Sequence, residues 1–289
     1  MNEEARKEEI VQNLLNPSKK ALQIKKNVRV ITLDTYDFKE EKIQKNQQFF
    51  KQFKILRGSI VEWLYIINVK LQDNPATFFH SVSLFDKLVS KTPSFLFPNN
   101  IDLYAGVCYF ISKKINEIII IDISFLKKII LKGKYDSQQI ARAEIEICKQ
   151  LNFNLLSSTI EDYTDFFITK IPSKLQSVFQ STNLFFNIFA QNFEEFIFNT
   201  FPLTVSIITL KVSLEILTQK EKLNKDEHDL ITHLINSFVI NHCQISKIAK
   251  INIKIKEYSV LLLNAFVNNQ KFIQQKEYSK LYIQNFGIQ

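Results

Sequence analysis

Apolar residues recur every three or four positions along most of the chain. In the first clear stretch, residues 53–71, the apolar stripe consists of Leu56, Ile60, Trp63 and Ile67. This spacing places the side chains on one face of a helix. The same spacing predicts five helices in the first part of the chain: at residues 53–71, from 75, at 100–114, at 122–131 and from 136 or 137.

The helical pattern continues after a short polar stretch at residues 152–158. Further candidate helices lie at residues 159–170, 182–199, 203–218, 226–242, 256–270 and 275–285. Alternation of apolar and polar residues is weak throughout, so the sequence predicts an all-α fold rather than strands. We expect two tandem bundles of five helices each, with the second strongly diverged from the first.

The same pattern predicts the domain boundaries. Residues 1–47 are highly charged and poorly periodic, which indicates a tail with one short helix near residues 10–15. We expect the first bundle to cover residues 48–156 and the second to cover residues 157–289.

Composition adds little to the fold but restricts the partners. The chain has only 4 Gly and 6 Pro among 289 residues, which agrees with helices joined by short loops. The formal net charge of +8 favours acidic partners. Because the charges are dispersed, Arg is rare and no array of aromatic and basic residues is present, the sequence does not favour nucleic acid as a partner.

Cysteine usage and hydropathy predict the compartment. The cysteines are odd in number and widely spaced, which indicates free thiols in a reducing compartment. They are Cys108, Cys148 and Cys243. The N-terminus lacks a secretory pattern, and the most apolar run, residues 117–132, is too short and too charged to span a membrane. We expect a soluble protein of the nucleus and/or the cytoplasm; lysine pairs at positions 19–20 and 25–26 suit nuclear import, although solvated tails carry such pairs too.

The residue patterns of enzymes and metal sites are missing. We find no glycine-rich phosphate loop, nucleophile elbow or pair of catalytic carboxylates. His228 and His233 are five residues apart and share no helix face, and His242 adjoins Cys243 without the spacing of a zinc site. The sequence therefore predicts a protein that is not an enzyme and has no cofactor and no metal site.

Four charged residues occupy apolar stripes of the first bundle. They are Arg57, Asp86, Lys114 and Glu144. A lone buried charge costs several kcal/mol, so residues in such positions need partners. The balanced signs suggest that Arg57 pairs with Asp86 inside the bundle and that Lys114 and Glu144 lie together near its surface. The alternative is that all four are boundary residues whose stems reach water.

Four stretches in the first half resemble the cyclin box. Residues 56–64, LRGSIVEWL, resemble M-R-x-x-L-[VI]-[DE]-W-L, and residues 77–89 resemble T-x-x-x-x-V-x-x-x-D-R-[FY]-L. Residues 105–117 end in SKKINE, which is similar to A-[SA]-K-x-E-E. Residues 135–155 resemble Y-[ST]-x-x-[EQ]-[IL]-x-x-M-E-x-x-[IL]-L-x-x-L-x-F-x-L.

The resemblance extends in order over about residues 50–170 and is closest to the A/B-type cell-cycle cyclins. The second half matches only by its number of helices and by residues 162–167. Membership would imply a regulatory subunit that binds and activates a cyclin-dependent serine/threonine protein kinase, in cell-cycle control, with no catalytic site of its own.

The resemblance also implies roles for individual residues. Arg57 and Asp86 correspond to the internal ion pair of the family. Lys114 and Glu144 correspond to residues that contact the kinase. Lys113 is the alternative to Lys114, one position earlier, and Glu117 closes the same motif and is assigned to the same surface.

In the family, the first helix binds Arg-x-Leu segments of substrate proteins. The matching positions here are Leu56, Ser59, Ile60, Trp63, Ile66 and Asp102. Ser59 replaces an apolar residue, and Ile66 replaces the acidic residue that receives the arginine of the peptide. Asp102 stands where glutamine is usual and would compensate in part. Docking of substrate proteins is therefore open for this chain.

Two other functions fit the same helices. A cyclin-fold module without a kinase, as in some general transcription factors, would bind nucleic acid in a salt-sensitive way. A diverged scaffold in a larger complex would have lost kinase binding. The presence of all four charges in the apolar stripes favours the kinase regulator.

Overall fold

The structure, a computed structural model, describes residues 47–91, 100–192, 202–242 and 245–268. Every regular element in these residues is helical, which confirms the all-α prediction. The first half contains α1 (Gln47–Leu71), α2 (Pro75–Lys91), α3 (Ile101–Asn116), α4 (Ile123–Phe125) with a π-helical turn (Leu126–Ile130), and α5 (Ser137–Gln150). The second half contains α6 (Ile160–Ile168), α7 (Ser173–Gln191), α8 (Pro202–Gln219), α9 (Lys225–His242) and α10 (Ile245–Asn268). The tail helix predicted at residues 10–15 and the piece at 275–285 lie outside the described residues.

Local sequence sets several helix starts. At α5, the Asp136 side chain accepts a hydrogen bond from the Gln139 N–H, and the Gln139 side chain accepts one from the Asp136 N–H. Thr159 and Asp162 form the same capping box at α6. Pro75 occupies the first position of α2, where a backbone N–H has no intrahelical partner to lose.

The predicted helix at residues 122–131 is not a regular α-helix. The N–H of Leu131 donates to the carbonyl of Leu126 at 2.9 Å, five residues back, which closes a π-helical turn. The wider turn keeps Leu126, Ile130 and Leu131 buried, whereas Ile129 is 59% exposed. The apolar spacing did not predict this change of period.

Two predicted helix starts in the second half are wrong. Helix α7 begins at Ser173 rather than at residue 182, directly after Pro172. Leu175 and Phe179, four residues apart, are both buried on α7. They extend the apolar face of the helix toward its N-terminus, ahead of the predicted start at residue 182. Helix α10 begins at Ile245, well before residue 256. Repetition of the first bundle by the second half stays a prediction.

Each half is built around one helix that is buried on nearly all sides. In the first half this is α3, whose residues 103–113 are all buried against α1, α2, α5 and the π-helical turn. In the second half it is α8, which contacts α6, α7, α9 and α10. One hydrophobic core extends through both halves, and α2 packs on α6 between them. Helices that are apolar all round belong at such central positions.

Arg57 joins α1 to both halves. Its guanidinium donates two hydrogen bonds of 2.8 Å to the Asp86 carboxylate on α2, the bidentate geometry of a strong ion pair. It also donates to the backbone carbonyl of Gln191, the last residue of α7, at 2.5 Å. The last carbonyls of a helix lack intrahelical donors and favour a cation. The ion pair suggested by the in-stripe charges is therefore present, and its arginine also contacts the second half.

A polar network lies inside the second half. Asn187, fully buried on α7, donates to the Glu161 carboxyl at 2.9 Å and to the Thr164 hydroxyl at 3.0 Å. The Thr209 hydroxyl on α8 donates to the Asn187 side-chain carbonyl at 2.7 Å. Burial, with the nearby charge of Asp165, raises the pKa of Glu161 to about 8. Glu161 is therefore mostly neutral at neutral pH, and the network joins α6, α7 and α8.

We expect Arg57→Ala to destabilise the protein by about 3–5 kcal/mol, because it leaves Asp86 and the Gln191 carbonyl without their donor. Lys174→Ala is the matched control: it removes an ion pair with Glu227 whose lysine side chain is 69% exposed, and such a pair contributes at most about 1 kcal/mol. Denaturant unfolding measures both free energies. Equal stability of the Arg57 variant and the wild type would contradict the role assigned to Arg57.

The raised pKa of Glu161 predicts a pH dependence of stability. The ordinary pKa is 4.5, so between there and about pH 8 the folded state keeps a proton that the unfolded state releases. The stabilisation from this group is complete below pH 4.5 and is lost as the pH rises through 8. Glu161→Gln, which mimics the neutral carboxyl, should flatten the free energy of unfolding across this window. An unchanged slope for the variant would show that Glu161 is ionised in the folded protein.

Candidate partner-binding surface

The end of α3 and the middle of α5 bring two opposite charges together at the surface. The Lys114 ammonium lies 2.6 Å from a carboxylate oxygen of Glu144, and the two side chains are 38% and 23% exposed. The ammonium also lies 4.0 Å from the centroid of the Phe110 ring. Lys114 and Glu144 thus lie where the sequence predicted them, together and accessible to a partner.

Exposed apolar side chains adjoin this ion pair. Ile115, next to Lys114, is 39% exposed, and Ile145, next to Glu144, is 55% exposed. Phe153 is 72% exposed, and its N–H donates to the carbonyl of Cys148 at 2.8 Å. Phe153 therefore lies at the C-terminal end of α5, the helix that carries Glu144. We call Lys114, Ile115, Glu144, Ile145 and Phe153 the ion-pair surface.

The backbone at Phe153 is unusual. Asn152 and Phe153 have φ values of 51° and 55°, in the left-handed region that non-glycine residues seldom occupy. Such a conformation costs of order 1–3 kcal/mol and persists where surrounding contacts hold it. Hydrogen bonds to the end of α5 fix this turn, including one of 2.9 Å from the Asn154 N–H to the Leu151 carbonyl. The turn holds an aromatic ring that is largely exposed to solvent.

Lys113 points into the protein, whereas Lys114 is partly exposed. Lys113 is buried and forms an ion pair with Asp73, in the loop between α1 and α2, with both side chains at most 6% exposed. The Tyr109 hydroxyl donates to the same carboxylate at 2.6 Å. Burial and this carboxylate raise the pKa of Tyr109 well above its usual value. The alternative assignment of Lys113 to an exposed binding surface is therefore wrong, because its ammonium fastens a loop to α3.

Glu117 has a structural partner as well. Its carboxylate accepts hydrogen bonds from the Asn74 N–H at 2.7 Å and from the Thr77 hydroxyl at 2.5 Å. These donors lie at the start of α2, where a negative charge also interacts favourably with the helix dipole. The predicted contact of Glu117 with a partner stays a prediction; in the structure its half-buried carboxylate caps α2.

The residues expected to dock substrate segments do not form an acidic site. Leu56 is 43% exposed, Ser59 is exposed, Trp63 and Ile66 are half-buried, and Ile60 is buried.

The single carboxylate in that set, Asp102, accepts hydrogen bonds from Lys134 at 2.9 Å and from the Tyr135 hydroxyl at 2.6 Å. Burial alone would raise the pKa of Asp102, but the hydrogen bonds from Tyr135 and Lys134 lower it. Asp102 is thus ionised and already paired, so it does not replace the acidic group lost at Ile66.

The described residues contain no group of three or more His, Cys, Asp and Glu side chains that could hold a metal ion. No described helix has the length and apolar character needed to cross a membrane. Cys108 is a buried free thiol and Cys148 a half-buried one, and burial raises the pKa of both. These findings leave the ion-pair surface as the main candidate.

Residues 31–156 match the family model of the cyclin N-terminal domain. This match supports membership of the cyclin family and covers α1 to α5, including every residue of the ion-pair surface. The cyclin domain is generally a non-catalytic regulatory fold that binds a kinase. No curated protein matches the chain in sequence.

The two neighbouring lysines should respond differently to the same substitution. Lys113→Met strands the buried Asp73 carboxylate and should cost about 3–5 kcal/mol of stability. Lys114→Met removes a partly exposed pair and should cost at most about 1 kcal/mol. Thermal and denaturant unfolding of both variants measure the difference. If Lys114→Met were the more destabilising of the two, the assignment of Lys113 to the interior and of Lys114 to the surface would be wrong.

Proposed function

We propose that this protein binds a cyclin-dependent serine/threonine protein kinase through the ion-pair surface and holds it in the active conformation, in cell-cycle control. The observation that carries the proposal is the Lys114–Glu144 pair, at 2.6 Å and partly exposed. The exposed Phe153 ring lies just beyond the C-terminal end of α5, the helix that carries Glu144. The match of residues 31–156 to the cyclin N-terminal domain supports a kinase as the partner.

The chemistry of the surface suits a protein helix or loop with both apolar and charged side chains. An exposed aromatic ring with a paired lysine and glutamate offers a central apolar contact and two charged groups of opposite sign. Each charge already has a partner within the protein, so a kinase side chain that approaches either one exchanges one ion pair for another. Charged groups arranged in this way select the orientation of the partner more than they add affinity.

Rigidity is the second feature that supports the proposal. The end of α3, which carries Lys114, is anchored to the start of α2, because Lys113 is paired with Asp73 and Glu117 caps α2. The turn with Phe153 is fixed by hydrogen bonds to α5. A rigid surface loses little conformational entropy on binding, so more of the contact energy appears as affinity.

Activation would follow from a difference in affinity between two kinase conformations. A protein kinase needs its Lys–Glu ion pair and an ordered activation loop before phosphoryl transfer. This protein would bind the conformation with the regulatory helix swung inward more tightly than the other conformation. It shifts the equilibrium only by as much as the two affinities differ. The kinase would supply ATP, Mg²⁺ and every reacting group.

Charge reversal tests the proposal. The tagged protein should capture a protein kinase in one-to-one ratio, identified by mass spectrometry. Lys114→Glu and Glu144→Lys should each weaken this complex by about 2 kcal/mol or more, roughly thirtyfold in Kd. Phe153→Ser should weaken it similarly without loss of stability, because the ring is 72% exposed in the free protein.

Two controls separate binding from folding. The double exchange Lys114→Glu with Glu144→Lys restores an internal pair, so it should fold normally and still bind poorly. Lys174→Glu changes an exposed pair in the second half and should bind like the wild type. Capture of an active kinase at wild-type levels by both single charge-reversal variants would contradict the proposed surface. Stable capture of nucleic acid or of other proteins without a kinase would support a scaffold instead.

A further inference from the structure

Three consecutive isoleucines are exposed at one place on the protein. Ile118, Ile119 and Ile120 are 99%, 79% and 62% exposed, in the connection between α3 and α4. Among the residues whose side-chain exposure the structure describes, Phe153 is the only other large apolar side chain that is more exposed than Ile120. Single exposed apolar residues are ordinary on protein surfaces, but a contiguous group indicates an interaction site. We call residues 118–120 the isoleucine segment.

Both ends of the isoleucine segment are anchored. At its start, the Glu117 carboxylate caps α2 through the Asn74 N–H at 2.7 Å. At its end, the Asp122 carboxylate caps α4 by accepting from the Phe125 N–H at 2.7 Å. The segment is thus an irregular stretch of chain between two capping residues.

The residues that follow the isoleucine segment explain why its side chains are exposed. Ile121 and Ile123, which follow it directly, are partly buried and pack against the core. They fix the direction of the chain, so residues 118–120 are left outside the core.

The segment continues the ion-pair surface. Ile118 follows Lys114 by four residues, and a chain spans at most about 3.5 Å per residue, so their Cα atoms lie within about 14 Å. Ile115, which belongs to the ion-pair surface, lies between them and is 39% exposed. A protein that covers Lys114 and Glu144 at the size of a standard interface, about 800 Å² on each side, therefore reaches the segment.

We propose that the isoleucine segment is a second contact region for the same kinase, covered in the complex by an apolar surface of the kinase beside its regulatory helix. This inference rests on the proposed function. Aliphatic residues on a backbone anchored at both ends favour an aliphatic or aromatic partner surface over a charged one. The segment carries no charged side chain between Glu117 and Asp122, and both of those carboxylates have partners within the protein.

The test compares exposed isoleucines inside and outside the proposed contact. The variant has Ile118→Ser, Ile119→Ser and Ile120→Ser together, and the matched control is Ile129→Ser, which replaces a 59% exposed isoleucine on the π-helical turn. The captured kinase is titrated against each protein by surface plasmon resonance. We expect the triple variant to bind at least about tenfold more weakly, in line with burial of one or more isoleucine side chains, and the control to bind like the wild type. Unfolding of the free triple variant should match the wild type.

Four outcomes overturn the inference. Unchanged kinase affinity of the triple variant, with normal binding by the wild type, overturns the inference alone. An equal loss for Ile129→Ser points to a general effect of surface hydrophobicity. If the wild-type protein forms a dimer that the triple variant abolishes while kinase affinity stays constant, the segment binds a second copy of this chain. Failure of the wild type to bind any kinase overturns the proposed function and the inference with it.

Discussion

A buried guanidinium is the contact on which the arrangement of the helices depends most. Arg57 is 1% exposed, yet it carries a permanent charge, so the protein must surround it with acceptors. Asp86 supplies two carboxylate oxygens and Gln191 a backbone carbonyl. The three residues come from α1, α2 and α7. The hydrogen bonds of one guanidinium therefore fix the position of α1 relative to α2, and of both helices relative to α7 in the second half. Loss of any one acceptor would leave part of the buried guanidinium without a hydrogen-bond partner, and the apolar core does not offset that loss of stability.

Three further charged residues extend this arrangement toward the surface. Lys113 is neutralised by Asp73 inside the protein, and Glu117 caps α2. Lys114 and Ile115, which follow Lys113 in the chain, then face solvent, because adjacent helical residues point about 100° apart. The same end of α3 thus fastens the loop before α2 from inside and carries part of the exposed ion-pair surface outside.

The sequence predicted much of this because charges in apolar stripes are informative. The pairing of Arg57 with Asp86 and of Lys114 with Glu144 follows from balanced signs at helical spacing, since a buried charge needs a partner. The helices of the first half were predictable from the same stripes and from caps such as Asp136. The contact of Arg57 with Gln191 was not, because it joins residues 134 positions apart and uses a backbone carbonyl that every residue possesses.

Orientation was the other part that the sequence could not determine. Lys113 and Lys114 differ by one position, and only the packing of α3 shows which ammonium is buried. Phe153 and the isoleucine segment resemble core residues in any hydropathy pattern, because exposure of an apolar side chain depends on what packs over it. The π-helical turn was not predictable either, because the apolar spacing of residues 122–131 also fits a regular helix, and only the hydrogen bond from the Leu131 N–H to the Leu126 carbonyl shows the wider turn.

The most direct test of the proposed kinase activation is the effect of this protein on the activity of a kinase that it captures. The purified kinase, freed from the complex, is assayed for phosphoryl transfer to a peptide while the protein is added in increasing amounts. The account predicts low activity of the kinase alone and a rise that saturates at one protein per kinase, with no rise for Glu144→Lys at the same concentrations. A kinase that binds the protein with unchanged activity, or one that Glu144→Lys activates as well as the wild type does, would contradict it.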